Sequence, residues 1–215
     1  KMWGSSSNDL YAVGNNGNIA HYNGQSWIKI ESGTDTDFKD IYGTTDGKEL
    51  WACGWTNRNG RVAIIKIKES GEVESVWDSQ TNRTFSYYYH GQLLNTLWAN
   101  GNGEFIFATG IVTRHSLLNN RLLRFDWVPY LNGWKVLDLG NYSYRIRGSN
   151  KNNIAIAGDE AMIWHYNGRT WHKFEELQYF DDRLYGLTVT ENLIIAVGKR
   201  YSGLTSGALL LVGRR

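Results

Sequence analysis

Six carboxylates stand in polar stretches where they could do chemistry: Asp37, Asp40, Asp159, Glu160, Asp181 and Asp182. Two such groups held about 5–10 Å apart in a cleft would supply the acid/base or nucleophile pair of glycoside hydrolysis. Other catalytic arrangements find no support. No serine lies in a Gly-x-Ser-x-Gly turn, the setting that presents a nucleophile at a sharp corner. Phosphate-cradling glycine loops are missing. His90 and His115 have no Cys, Asp or His at metal-ligand spacing, so neither a metal nor a cofactor is expected. Cys53 is the single cysteine and sits in the apolar run Leu50-Trp51-Ala52-Cys53, where it reads as a small core residue.

Recognition is the second chemistry on offer. Aromatic residues alternate with Asp, Asn and Arg in several segments. Asp37 lies in one, Trp55 and Arg58 in the next, then Tyr87, Tyr88, Tyr89 and His90. Tyr142 and Tyr144 follow, then Tyr179 and Asp181, and finally Arg200 and Tyr201. Flat rings give stacking area at small entropic cost, and the polar groups set orientation. The Tyr87-Tyr88-Tyr89 run cannot point wholly inward in an extended segment. Lys and Arg number 23 against 21 Asp and Glu, a net charge of +2. That balance excludes nucleic acid or an anionic membrane as an obligatory partner. The apolar runs are too short for a transmembrane segment.

Strands must position these residues. The chain holds 10 Trp, 13 Tyr and 24 Gly but one Pro, and aromatics with glycine punctuation suit strands and turns. One pattern recurs. Trp3-Gly4-Ser5-Ser6 leads through Asp9-Leu10-Tyr11-Ala12-Val13-Gly14 to His21-Tyr22-Asn23-Gly24-Gln25-Ser26-Trp27. Gly148-Ser149 leads through Asn153-Ile154-Ala155-Ile156-Ala157-Gly158 to His165-Tyr166-Asn167-Gly168-Arg169-Thr170-Trp171. Weaker copies place the anchor glycines at Gly14, Gly54, Gly110, Gly158 and Gly198, spaced 40, 56, 48 and 40 residues apart. That is the period of a propeller blade. Each copy predicts four strands, A to D, with Asn-Gly forming a type I′ turn between C and D. Trp27, Trp77, Trp134 and Trp171 fall on strand D, and His21 and His165 occupy matching places, so repeat geometry accounts for both.

The expected fold is an all-β, five-bladed β-propeller of four-stranded antiparallel blades in one domain, 1–215. The blades are about 1–34, 35–80, 93–140, 142–176 and 183–215, the last lacking its outer strand. An open edge leaves unpaired backbone groups, so a segment N-terminal to residue 1 or another chain is expected to supply that strand. Strand alternation puts the D-to-A and B-to-C connections on one face, which gathers the aromatic and polar segments above. Strand A carries Lys1, Asp40, Thr96, Arg145 and Gly186 toward a central channel, a ring suited to ordered water or a ligand.

The Trp-Gly-Ser-Ser…Asp-Leu-Tyr-Ala-Val-Gly…His-Tyr-Asn-Gly-x-Ser-Trp pattern resembles a bacterial propeller repeat of secreted or surface-anchored proteins. The resemblance implies the propeller fold and an extracellular or envelope location, and it brings no catalytic residues. Ser-x-Asp-x-Gly-x-Thr-Trp boxes are absent. The expected function is a non-catalytic binding or scaffold module that recognises a protein or an envelope component. The alternatives are a lectin-like propeller and a glycoside-acting enzyme.

Overall fold

A computed structural model describes residues 1–44, 47–56, 58, 60–81, 94–99, 104–108, 111–118, 121–122, 137–138, 141–203 and 205–214. Every regular element among them except one 3₁₀ turn, Glu175–Leu177, is a strand. Five antiparallel sheets follow in chain order. The first is β1 (Met2–Ser6), β2 (Asp9–Val13), β3 (Asn18–Tyr22) and β4 (Trp27–Glu31). The second is β5 (Phe38–Gly43), β6 (Glu49–Trp55), β7 (Val62–Lys68) and β8 (Val73–Asp78). The third runs through β9 (Thr96–Ala99), β10 (Glu104–Ala108), β11 (Ile111–Leu118) and β12 (Arg121–Leu122), with β13 (Leu137–Asp138) also paired to β11. The fourth is β14 (Ser143–Asn150), β15 (Asn153–Gly158), β16 (Ile163–Tyr166) and β17 (Trp171–Lys173). The fifth has β18 (Arg183–Val189), β19 (Leu193–Ser202) and β20 (Thr205–Arg214).

Apart from β13, which pairs with β11, strands adjacent in sequence are adjacent in each sheet, the up-and-down meander of a propeller blade. The expectation of five blades is corrected to four: among the described residues four sheets reach four strands, and the C-terminal one has three.

The chain forms two compact units, Lys1–Ile106 with Arg114–Val128, and Phe107–Thr113 with Pro129–Arg215. In the first, Tyr11, Val13, Ile19, Phe38, Ile41, Leu50 and Ile65 share one buried core. In the second, Ala157, Ala161, Ile163, Leu184, Ala196 and Leu209 form another. The second strands β6 and β15 are buried on both faces, so their sequences read as continuous apolar runs rather than alternating ones. Cys53 is fully buried in β6.

The anchor glycines have a steric cause. A Cβ on Gly54 would strike the Asp37 carbonyl and lie 2.6 Å from the Phe38 Cα. On Gly158 it would strike the Tyr142 carbonyl, with the carbonyl carbon 2.9 Å away. On Gly198 it would strike the Arg183 carbonyl, with that carbon 2.7 Å away. Each glycine thus lies on strand B opposite the start of strand A and lets the two backbones touch; Gly158 ends β15, whereas β6 and β19 run on past Gly54 and Gly198. Gly14 has nothing within 4 Å of the same position.

The Asn-Gly turns differ from the expected type I′. Tyr22 pairs with Trp27 and Tyr166 with Trp171, which leaves four-residue loops. Only the glycines take positive φ, 90° at Gly24 and 93° at Gly168. The asparagines act through their side chains instead. Asn23 Oδ1 accepts from the N–H groups of Gln25 and Ser26 at 3.0 Å, and Asn167 Oδ1 from those of Arg169 and Thr170 at 2.9 and 3.0 Å. This is an Asx turn. The repeated histidines are anchors too: His21 Nε2 lies 2.8 Å from Asp9 Oδ1, and His165 Nε2 lies 2.8 Å from Asn153 Oδ1.

Candidate functional site

In the first unit, three of the expected site residues meet where β5 begins and β6 ends. The Asn16 N–H donates to Asp37 Oδ1 at 2.9 Å. Arg58 Nη2 lies 4.0 Å from the same oxygen and donates to Asn16 Oδ1. Lys39 Nζ is 4.0 Å from Asp37 Oδ2 and 5.2 Å from the centre of the Trp55 ring. Trp55 Nε1 donates to Asn95 Oδ1 at 3.1 Å. Asp37, Trp55 and Arg58 therefore form one charged, aromatic cluster. Beside it, Arg61 bridges Asp35 and Asp78. The Arg61 guanidinium holds the Asp35 carboxyl below its usual range by hydrogen bonding.

The second unit carries a larger cluster at the corresponding ends of β14, β15, β18 and β19. Tyr142, Tyr144 and Tyr185 form an aromatic row, with ring centres 5.7 Å and 5.0 Å apart. Burial, and then the Asp159 carboxylate, push the Tyr144 pKa up to about 12. Arg183 Nε lies 3.3 Å from Asp159 Oδ1. On β19, Lys199 Nζ sits 4.4 Å from the Tyr201 ring centre and Arg183 Cζ 5.8 Å from it. Two cations thus address one ring. Arg183 and Lys199 are cross-strand partners, which explains their proximity.

Asp182 ties this end together. Fully buried, it accepts from Arg200 Nε at 3.0 Å and from the Tyr201 N–H at 3.1 Å. The Arg200 guanidinium lies 5.9 Å from the Tyr179 ring centre. Tyr179 and Phe180 project from the turn before β18 with 61% and 76% of their surface exposed. Asp181 in that turn has φ 74°.

Of the residues expected to face a channel, Asp40, Thr96 and Arg145 are buried, at 1%, 0% and 8% exposed, whereas Lys1 is exposed and Gly186 half-buried. Thr96 Oγ1 donates to Asp40 Oδ2 at 2.8 Å, and the Leu97 N–H donates to the same oxygen at 3.3 Å. These two residues are brought together as a structural bond within the first unit.

Three placements correct the sequence reading. Tyr144, expected in a connection, lies in β14. Arg200 and Tyr201, expected in a loop, lie in β19, which continues past Gly198 and pairs with β20 as far as Ser202 opposite Thr205. Trp55 is the last residue of β6. Tyr87, Tyr88, Tyr89 and His90 lie outside the described residues. Arg183 and Lys199 belong to the aromatic and polar segments read from the sequence; Tyr185 was missed as a site residue. The signal for Tyr185 was its neighbour Gly186: the register shifts between Leu184 and Gly186, and such a bulge turns a side chain to a new direction. Among the described residues no group of three or more His, Cys, Asp or Glu could hold a metal ion, and no helix is long and apolar enough to cross a membrane.

No family model and no curated protein matches the sequence. Solved structures do. The chain is similar to YCF48 from Cyanidioschyzon merolae at 10% identity and TM-score 0.58, with 89% of this chain matched to 61% of that one. It is similar to U3-55K at 9% identity and TM-score 0.63, 91% of this chain against 57% of that one. It is also similar to a GH74 enzyme of Niastella koreensis at 12% identity and TM-score 0.64, 98% of this chain against 35% of that one. The chain therefore spans 35% to 61% of the lengths of these structures. Identities this low speak to fold alone. With the sheet topology, they put the chain in the all-β, β-propeller class.

Proposed function

We propose that this chain is a non-catalytic binding module that recognises a protein or an envelope component through the aromatic and cationic end of its second unit. The observation that carries the reading is the cluster of Tyr185, Tyr201, Arg183 and Lys199, held in place by Asp159 and Asp182 and open to solvent at Tyr185, Arg183 and Arg200. Tyr and Arg dominate the energetics of recognition surfaces because they offer large, orientable contact area. The proposed location, extracellular or in the cell envelope, rests on the resemblance of the repeat.

Likeness to an enzyme makes catalysis the rival reading. The carboxylates favour binding instead, since five of the six are engaged as ties and the sixth, Asp181, is exposed on a turn. Asp37 holds the Asn16 backbone, Asp40 takes Thr96, Asp159 takes Arg183, and Asp182 takes Arg200 and Tyr201. Glu160 accepts from Asn141 Nδ2 at 2.8 Å. A lectin-like role is the second reading, supported by the tyrosine row and its neighbouring polar groups.

The test is a paired screen on peptide and glycan arrays, comparing the wild-type chain with a Tyr185→Ala/Tyr201→Ala double variant whose circular dichroism is unchanged. Specific binding by the wild type that the variant loses is the expected result. Binding retained in the variant, or conversion of a bound ligand into product, overturns the reading.

A further inference from the structure

Resting on that binding reading, we propose that the cluster takes an acidic protein segment. Lys199 and Arg183 would meet its carboxylates, and Tyr185 and Phe180 would pack against its apolar side chains.

Charge layering is the first argument. The cations of this end lie outward over the acids that pair with them; Asp181, on the turn with Phe180, is the exposed acid beside them. Arg200 is 54% exposed over Asp182, which is 0% exposed. Arg183 is 47% exposed over Asp159 at 30%. Lys199 has no carboxylate partner among the described residues; its contact is the Tyr201 ring at 4.4 Å. A ring steadies an ammonium without neutralising it. The cluster has nearly balanced charges, yet the sign it turns toward a partner is positive. Complementary potential is what selects a partner and speeds encounter.

The exposed rings argue for a polypeptide. Phe180 is 76% exposed and Tyr179 61%, on a turn fixed by the Asp182 N–H to Tyr179 carbonyl bond at 3.1 Å and by the Tyr179 N–H to Glu160 carbonyl bond at 3.0 Å. A phenylalanine has no polar group to orient a sugar, and apolar side chains of a polypeptide cover its ring most fully. Three cations are too few for a nucleic-acid track, which depends on many phosphate contacts. An acidic segment bearing aromatic or aliphatic side chains satisfies both halves of the surface.

The probe is an immobilised random copolymer of glutamate and tyrosine, with polygalacturonate as the acidic-saccharide arm, read by biolayer interferometry at low and high salt. Lys199→Glu and Arg183→Gln are compared with Lys29→Glu, which makes the same charge change on exposed β4 of the first unit. Lys199→Gln serves as the milder second variant. Expected are salt-sensitive binding of the copolymer, a loss of about tenfold in Lys199→Glu and a smaller loss in Lys199→Gln and Arg183→Gln, with Lys29→Glu unchanged. Equal losses in Lys199→Glu and Lys29→Glu would reduce the effect to net charge and overturn the proposal. So would absence of copolymer binding, or preference for polygalacturonate. If the copolymer fails while the array screen finds a neutral ligand lost with Tyr185 and Tyr201, the acidic-segment proposal falls and the binding reading stands.

Discussion

Replacing Gly158 with alanine should destabilise the chain by about 3 kcal/mol, while the same change at Gly14 should be neutral to slightly stabilising. Both glycines occupy the same place in the repeat, so sequence alone treats them as equals. Their surroundings differ. The new methyl at residue 158 would meet the Tyr142 carbonyl, with the Met162 Cε 2.7 Å away, whereas at residue 14 it would meet nothing within 4 Å. Met162 is flexible and can yield. The Tyr142 carbonyl cannot, because it accepts the Asp159 N–H at 2.9 Å where β14 starts. Overpacking of this kind costs about 1–3 kcal/mol and more where backbone must shift, which sets the upper figure. For a chain of this size each kcal/mol moves Tm by about 2–4 °C, so Gly158→Ala should melt about 6–12 °C below wild type. Gly14→Ala should gain up to about 1 kcal/mol, because alanine restricts the unfolded chain. Thermal unfolding followed by circular dichroism reads both variants side by side. Equal destabilisation at the two positions, or a neutral Gly158→Ala, would refute the steric account of the repeat glycine.

Thr96→Val removes the buried donor to Asp40 and should cost about 1–3 kcal/mol in chemical denaturation, as loss of a hydrogen bond to a buried charged group does; an unchanged midpoint would contradict the bond's role. Asp182→Ala should cost about 2 kcal/mol, because it releases both the Arg200 guanidinium and the Tyr201 N–H, and it should raise amide exchange at residues 199–201 before it does so elsewhere. Tyr144, with its pKa pushed up to about 12, stays protonated in the folded chain after an unfolded tyrosine has ionised near 10. Its contribution is complete below pH of about 10 and is lost as pH rises through about 12. An ultraviolet titration of tyrosinate should show a late step that Tyr144→Phe abolishes.

Strand placement was legible because the repeat writes its own boundaries. Gly54, Gly158 and Gly198 each mark a backbone contact that excludes any side chain, and the Asn-Gly pairs mark the outer turns. The turn type was misread because Asn-Gly has two ways to bend a chain, and the Oδ1 contacts that select the Asx form are visible only once the strands are paired. The candidate site was legible in composition and less so in detail. Tyr142, Tyr144, Tyr179, Arg200 and Tyr201 do gather at one end of the second unit. Tyr185 escaped notice because it looks like ordinary alternation within a strand, and the pairing of Arg183 with Lys199 was not readable from their separate segments. Both depend on cross-strand register and on the bulge at Leu184/Gly186, and neither is set by the residues themselves. Asp182 looked like half of an acidic pair, and its burial beneath Arg200 makes it a tie.

Hydrogen–deuterium exchange of the full chain, with and without a ligand taken from the array screen, tests the central claim most directly. The account predicts protection concentrated at residues 179–185 and 199–201, with the polar turns at 5–9 and 149–153 unaffected. Protection confined to those turns, or spread evenly over the chain, would contradict it.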